Sequence, residues 1–219
     1  HLWAESYERT FSTEAVFELQ DDLVPRIVST VADSHGVLLH TMSEAVRRKS
    51  VDQLSPYEAV LRGFGYFERV NAEELAAARS ALELAVSKAP EYADAWAMLA
   101  LLCAQEYGQG YSLLADSLAA GSVAAGRAVE AGPSNHLAHS GLAQVLFLQK
   151  DFQPFRNAAA RAIALNPMDG ATVALMGILL AYSGEWERGC AVAERHRRGS
   201  RHRESRTARR PRSRRRAGW

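Results

Sequence analysis

The amino-acid sequence predicts an all-α protein, a solenoid of antiparallel helix pairs, on three observations. Pro90, Pro133 and Pro167 each close a similar segment, LELAVSKAP, GRAVEAGP and RAIALNP. After each proline an apolar helix begins: EYADAWAMLALLCAQEY, SNHLAHSGLAQVLFLQ and MDGATVALMGILLAYSG. Pro133 and Pro167 are 34 residues apart, and Pro90 and Pro133 are 43 apart, which is 34 plus an insertion of nine. A fixed period of this size means stacked supersecondary units.

Composition fits a soluble chain, with 47% apolar and 23% charged residues. The net charge of +1 hides a split. Residues 195–219 carry 12 Arg against one acid, Glu204, whereas residues 1–194 carry 14 Lys and Arg against 24 Asp and Glu. No apolar run reaches the roughly 18 residues that span a bilayer, and the start, HLWAESYERT, lacks the basic and apolar regions of a signal peptide. Cys103 and Cys190 lie far apart in apolar helical stretches, so they read as small buried hydrophobes in a reducing cytoplasm. The chain opens on His1 rather than Met, and a piece of a longer protein is expected.

Along the chain, residues 1–10 read as a short extended stub, with Leu2, Trp3 and Tyr7 as strand formers. Residues 13–33 read as a helix capped by Ser12 or Thr13. Val16, Leu19, Leu23, Ile27 and Val31 share one face, and Pro25 kinks it. His35-Gly36 is a stop signal, a short helix follows around Ser43–Lys49, and Ser55-Pro56 breaks the chain. The expected division is a remnant of an upstream domain plus linker helices over 1–53, about three to four helical repeats over 54–194 and an Arg-rich disordered tail over 195–219. The insertion, about Gly108–Asp116, is expected to lengthen the turn between two helices.

The repeats resemble tetratricopeptide repeats, whose pattern runs W-x2-L-G-x2-Y, then A-x3-F, then a closing proline. Trp96, Leu99, Ala100 and Cys103 fill the first helix of one unit, His139, Leu142, Ala143 and Leu146 the next, and Val173, Met176, Gly177 and Leu180 the third. Leu61, Phe64 and Gly65, completed by Ala78, Leu82, Ala85 and Pro90, mark a degenerate earlier unit. Ala125 and Ala128, then Ala159 and Ala162, supply the small residues of second helices, and Phe152 and Trp186 the aromatic before them. The resemblance implies a right-handed solenoid whose first helices line a concave groove. Each pair buries its second face only by stacking on the next.

A second stretch, HLWAESYERT followed by VFELQDDLVPRIVSTVA, is similar to the junction in multidomain bacterial signalling proteins between a TolB-like α/β domain and tetratricopeptide repeats. The matching residues are Leu2, Trp3, Ala4, Glu5, Tyr7, Arg9, Phe17, Leu19, Gln20, Asp21 and Asp22. Those relatives carry, upstream, a class III adenylate cyclase domain or a winged-helix DNA-binding domain. The resemblance places neither activity on any residue of this chain.

The tail reads as a frame-shifted end. A disordered basic tail and a phosphate-neutralising arm are the alternatives. The last repeat holds its register through Gly184, Trp186 and Cys190 to Glu194, then loses both the small residue near His196 and the proline near Arg201. The tail has no Lys, Leu, Ile, Val or Phe. A truncated last unit is expected to fray and to expose Ile178, Leu179 and Val192.

No catalytic, cofactor or metal site is expected. His136 and His139 share a helical face, but no third ligand lies nearby in sequence, so they read as a polar pair at a helix start. His35 and His40, with Asp33, read as a solvated turn. Asp21-Asp22 and Glu73-Glu74 are adjacent acids that point in different directions. There is no G-x-S-x-G, phosphate loop or G-x-G-x-x-G, Gly63-Phe64-Gly65 falls within a helix, and Met98, Met168 and Met176 read as core or turn.

What remains is the groove. Its inward stripe is expected to comprise Asp94, Ala97, Leu101 and Gln105 from one unit, with Ala104, then Leu137, Ser140, Gln144, Phe147 and Leu148 from the next. The third unit adds Ala174, Ile178 and Tyr182, with Ala171 and Ala181. The Lys, Arg and Asn with which chaperone-binding relatives clamp a terminal carboxylate are missing. The expected partner is a protein or peptide, an amphipathic helix or extended apolar segment, or a second copy. The alternative is that residues 13–33 of the chain itself fill part of the groove. Nucleic acid and membrane are not expected as partners, and the chain is expected to be a non-enzymatic interaction or scaffolding module in the cytoplasm.

Overall fold

The computed structural model describes residues 37–110 and 116–194, and within them all regular structure is helical. The expectations for the stub, the 13–33 helix, Asp21-Asp22, His35 and the basic tail lie outside the described residues. In chain order the helices are α1 (Val37–Arg47), α2 (Pro56–Glu68), α3 (Ala72–Lys88), α4 (Ala93–Gln109), α5 (Asp116–Ala131), α6 (His136–Leu148), α7 (Phe152–Leu165) and α8 (Gly170–Tyr182). A short 3-10 turn, Val51–Gln53, joins α1 to α2. The chain is helical again, as α9, over 186–194. Helices α2/α3, α4/α5, α6/α7 and α8/α9 form pairs that stack in sequence order, and α1 packs on α2.

The prolines do the same work three times. Ala89, Gly132 and Asn166 each open a β-turn with proline second. Each turn is closed by a backbone bond: Tyr92 N to Ala89 O at 3.1 Å, Asn135 N to Gly132 O at 3.0 Å, and Asp169 N to Asn166 O at 3.3 Å. Proline's fixed φ suits that second position, and its missing N–H prevents the helix from running on. The last turn residue becomes the next N-cap: Asn135 accepts from Leu137 N and Ala138 N, and Asp169 from Thr172 N. Six residues after the proline, Trp96 Nε1 donates to Pro90 O at 2.8 Å, and His139 Nε2 lies 2.9 Å from Pro133 O, which places the proton on Nε2. Val173 fills this place in the third unit, where it is buried without a donor.

Turns within pairs also repeat at 34 residues. Lys150 (φ 63°) and Gly184 (φ 93°) are left-handed. Around them Asp151 N bonds Leu146 O and Lys150 N bonds Phe147 O, while Glu185 N bonds Leu180 O and Gly184 N bonds Ala181 O. Each is a Schellman closure that satisfies the last helical carbonyls. Earlier, Ser55 and Glu58 form a capping box with Pro56 in the first turn of α2, and Asn71 caps α3 at Glu74 N, so Glu73-Glu74 opens a helix.

Small residues set how closely first helices stack. A Cβ on Gly63 of α2 would collide with Met98 of α4, so Met98 fills that notch. A Cβ on Gly141 of α6 would lie 3.1 Å from Ala97 O and 3.3 Å from Ala100 Cβ, so α6 lies flush on α4. The residue 34 positions after Gly141 is Leu175. This larger side chain accompanies a looser approach of α8 to α6, and a cleft opens there. The core divides at the same place. One cluster runs from Val46 to Val145 and a second from Ala143 to Val192, with Leu142 packed against both.

Three expectations are corrected. The insertion is not all turn: Gly108 and Gln109 continue α4, Gly110 ends it with φ 66°, and Asp116 already belongs to α5. Glu106 in the last turns of α4 holds both Arg79 Nη1 of α3 and Ser117 Oγ of α5, which stabilises this helical continuation. The helix read around Ser43–Lys49 begins at Val37 and ends at Arg47. In the last unit Ile178 is exposed, but Leu179 packs on the core and Val192 is buried against the Gly177 notch.

Candidate functional site: a cleft beside the last helix pair

The cleft has a volume of about 360 Å³. It is lined by successive first helices: Leu101 and Gln105 of α4, Leu137, Ser140 and Gln144 of α6, and Ala171, Thr172 and Leu175 of α8. Phe64, Phe67 and Glu68 of α2 and Leu39 of α1 close one end, and the Asn166–Asp169 turn with His136 closes the opposite one. The surface is mainly apolar with a few polar groups at its margins, the usual chemistry of a recognition cleft.

Among the described residues two carboxylates and one histidine line it, and no Lys or Arg does. Asp169 is buried at the head of α8. Burial would raise its pKa. Hydrogen bonds from His136, Thr172 Oγ1 (2.7 Å) and Thr172 N (3.1 Å) outweigh burial and hold it at about 2. His136 Nε2 is 3.5 Å from Asp169 Oδ2. At the other end Glu68 Oε2 lies 2.7 Å from His40 Nδ1. Gln144 is 8% exposed and Ser140 2%. Both line the cleft, and neither has a hydrogen-bond partner among the described residues.

Of the stripe expected from the sequence, the structure brings Leu101, Gln105, Leu137, Ser140 and Gln144 together on this cleft, with Ala171. The others sit elsewhere. Asp94 accepts a hydrogen bond from Asn135 Nδ2 at the head of α4, and Ala97 is buried under Gly141. Phe147 packs edge-on to Phe155, with ring centres 5.4 Å apart, and Leu148 packs on the first core cluster. Ala174 is half-buried outside the cleft lining, and Ile178 and Tyr182 face solvent at 49% and 74% exposed. Helical period gives the angle of a residue around its own helix but not the tilt of that helix to its neighbour. Only the first turns of α8 stay beside α6.

No family model matches the chain, and no curated protein matches it. Among solved structures it is similar to one described as MamA MSR-1 C2, at 16% identity over 90% of this chain and 99% of that chain, with a TM-score of 0.45. The fold given above rests on the helices themselves.

Sequence reasoning missed the far walls. Phe64 and Phe67, three apart on one face of α2, carried a detectable signal, but Leu39, Glu68 and the Asn166–Asp169 turn join the cleft only through packing. It also left His136 without an acidic neighbour, although Asp169, 33 residues on, is beside it. His40 is helical and pairs with Glu68 rather than standing in a turn. Among the described residues no group of three or more His, Cys, Asp or Glu converges as a metal site, and none of the helices is long and apolar enough to cross a membrane. Cys103 is a buried core thiol whose pKa burial pushes up to about 11, so it stays protonated and unreactive at neutral pH.

Proposed function

We propose that this chain is a protein-interaction module whose cleft takes up a segment of a partner protein. The observation that carries this reading is the cleft itself: a mainly apolar cleft of about 360 Å³ shared by the first helices of successive units. The two buried polar side chains that line it, Ser140 and Gln144, offer hydrogen bonds to a bound main chain.

The test is selection from a displayed random-peptide library against the full chain, followed by competition with Met168→Arg. Met168 is an exposed turn residue at the cleft mouth, so the change leaves the core intact. Selected peptides should lose binding to the variant while helicity is unchanged. Peptides that bind both proteins equally, or ATP turnover by the chain alone, would overturn the reading.

A finer reading is favoured by the LWAE-x-Y-x-R and F-x-LQ-D-D stretches at residues 2–22: the module serves a bacterial signalling protein as the regulatory arm of a class III adenylate cyclase or of a winged-helix regulator. Upstream coding sequence distinguishes the two. A metal-binding pair of Asp residues supports the cyclase, and a winged helix supports the regulator.

A further inference from the structure

The cleft's charge is lopsided in a way that selects among partners. Among the described residues its only fully charged side chains are carboxylates, Glu68 at one end and Asp169 at the other, and no Lys or Arg of those residues lies in the lining to neutralise them. Glu68 uses Oε2 on His40, which leaves Oε1 for a further donor. Asp169 is ionised at neutral pH, held so by its capping bonds. Between these ends the surface is Phe64, Phe67, Leu101, Leu137 and Leu175. A guest with acidic side chains would be repelled from both ends, and removal of water from the cleft would strengthen the repulsion.

Gln144 adds an independent constraint. It is more than nine-tenths buried, lines the cleft and has no partner among the described residues. The amide still reaches the water of the cleft, since it is not one of the fully buried side-chain groups that lack a partner, so a guest that covered it would have to replace that water. A bound segment that offered a main-chain N–H or C=O would do so.

Building on the interaction reading above, we infer that the partner is a cationic apolar segment: apolar side chains enter between α6 and α8, a flanking Lys or Arg meets Glu68, and the main chain bonds the Gln144 amide. This is the reverse of a carboxylate clamp, since the protein supplies the anions. Residues 13–33 of the chain, which carry Glu14, Glu18, Asp21, Asp22 and Asp33 against Arg26, have the wrong charge to be the preferred occupant.

Fluorescence anisotropy with the full chain tests this, at physiological ionic strength, with three labelled synthetic peptides: an alternating Leu/Lys amphipathic peptide, its Leu/Glu counterpart and a Lys/Ser control without apolar residues. The Leu/Lys peptide should bind at least about tenfold more tightly than either of the others, and Glu68→Gln should weaken it by about tenfold. Gln144→Ala should weaken it also at high salt, where the Glu68 contribution is screened. Circular dichroism of both variants should match the parent, because neither residue caps a helix. Equal or tighter binding of the Leu/Glu peptide, lost in Met168→Arg, overturns the cationic inference and leaves the interaction reading standing. Equal binding of the Lys/Ser peptide also overturns it, as general attraction to an acidic surface. Binding of none of the three, whether because residues 13–33 or a second copy already fills the cleft, overturns both.

Discussion

Gly177 of α8 and Gly189 of α9 face each other with backbone against backbone. A Cβ on Gly189 would come 2.5 Å from Gly177 O and 2.6 Å from Ala181 N, and one on Gly177 would come 3.1 Å from Gly189 O. Backbone atoms cannot swing aside as a side chain can. Gly189→Ala should therefore force the pair apart at a cost of about 3 kcal/mol, and Gly177→Ala should cost about 1 kcal/mol. Urea denaturation of the two variants checks the order. Equal, negligible effects would mean that the helices do not touch here.

Lys150 and Gly184 hold the same left-handed turn position in successive units, yet one has a side chain and the other does not. A non-glycine residue in that region costs about 1–2 kcal/mol. Lys150→Gly should stabilise the chain by roughly 0.5–1 kcal/mol, and Gly184→Ala should destabilise it by about as much. Thermal melting should move in opposite directions for the two.

Asp169 gives a signed pH dependence. Its pKa falls from 3.8 to about 2 on folding, so the folded state favours the ionised form. The resulting stability is complete above about pH 4 and disappears as pH falls towards 2, a loss on the order of 2 kcal/mol. Asp169→Asn removes the titration but keeps an oxygen for the cap at Thr172 N. Glu58, held at about 2 chiefly by the hydrogen bond from Lys49, titrates in the same window in both proteins. The stability gap between parent and Asp169→Asn should be largest near pH 5 and close near pH 2, read from urea midpoints. A gap that stays constant would show that the carboxylate charge adds nothing.

Trp96 anchors the first proline turn by its Nε1 bond to Pro90 O and lies with its ring 5.8 Å from the Arg127 guanidinium. Trp96→Phe keeps an aromatic face and loses the donor. It should cost about 1 kcal/mol, read from urea denaturation. Double-mutant analysis with Arg127→Ala separates the ring contact from the hydrogen bond.

The helical class, the 34-residue register, the proline turns and most of the buried small residues were legible in the sequence, because they are local. Pro90, Pro133 and Pro167 fix their turns through their own φ, and Ala78, Ala125, Ala128 and Ala159 are buried by helical period alone. The candidate cleft was legible only by half. Leu101, Leu137, Ser140 and Gln144 could be counted onto an inward face, but the count also reached Asp94, Ala97, Phe147, Ile178 and Tyr182, which packing sent elsewhere. Tertiary structure decided that α6 would lie flush on α4 while α8 stood off from α6, and that Glu68, His136 and Asp169 would meet at the edges of the gap. The tilt between neighbouring helices depends on the fit of all the side chains between them at once, such as Gly141 under Ala97 and Leu175 with no notch to enter. No single helix carries that sum in its own repeat.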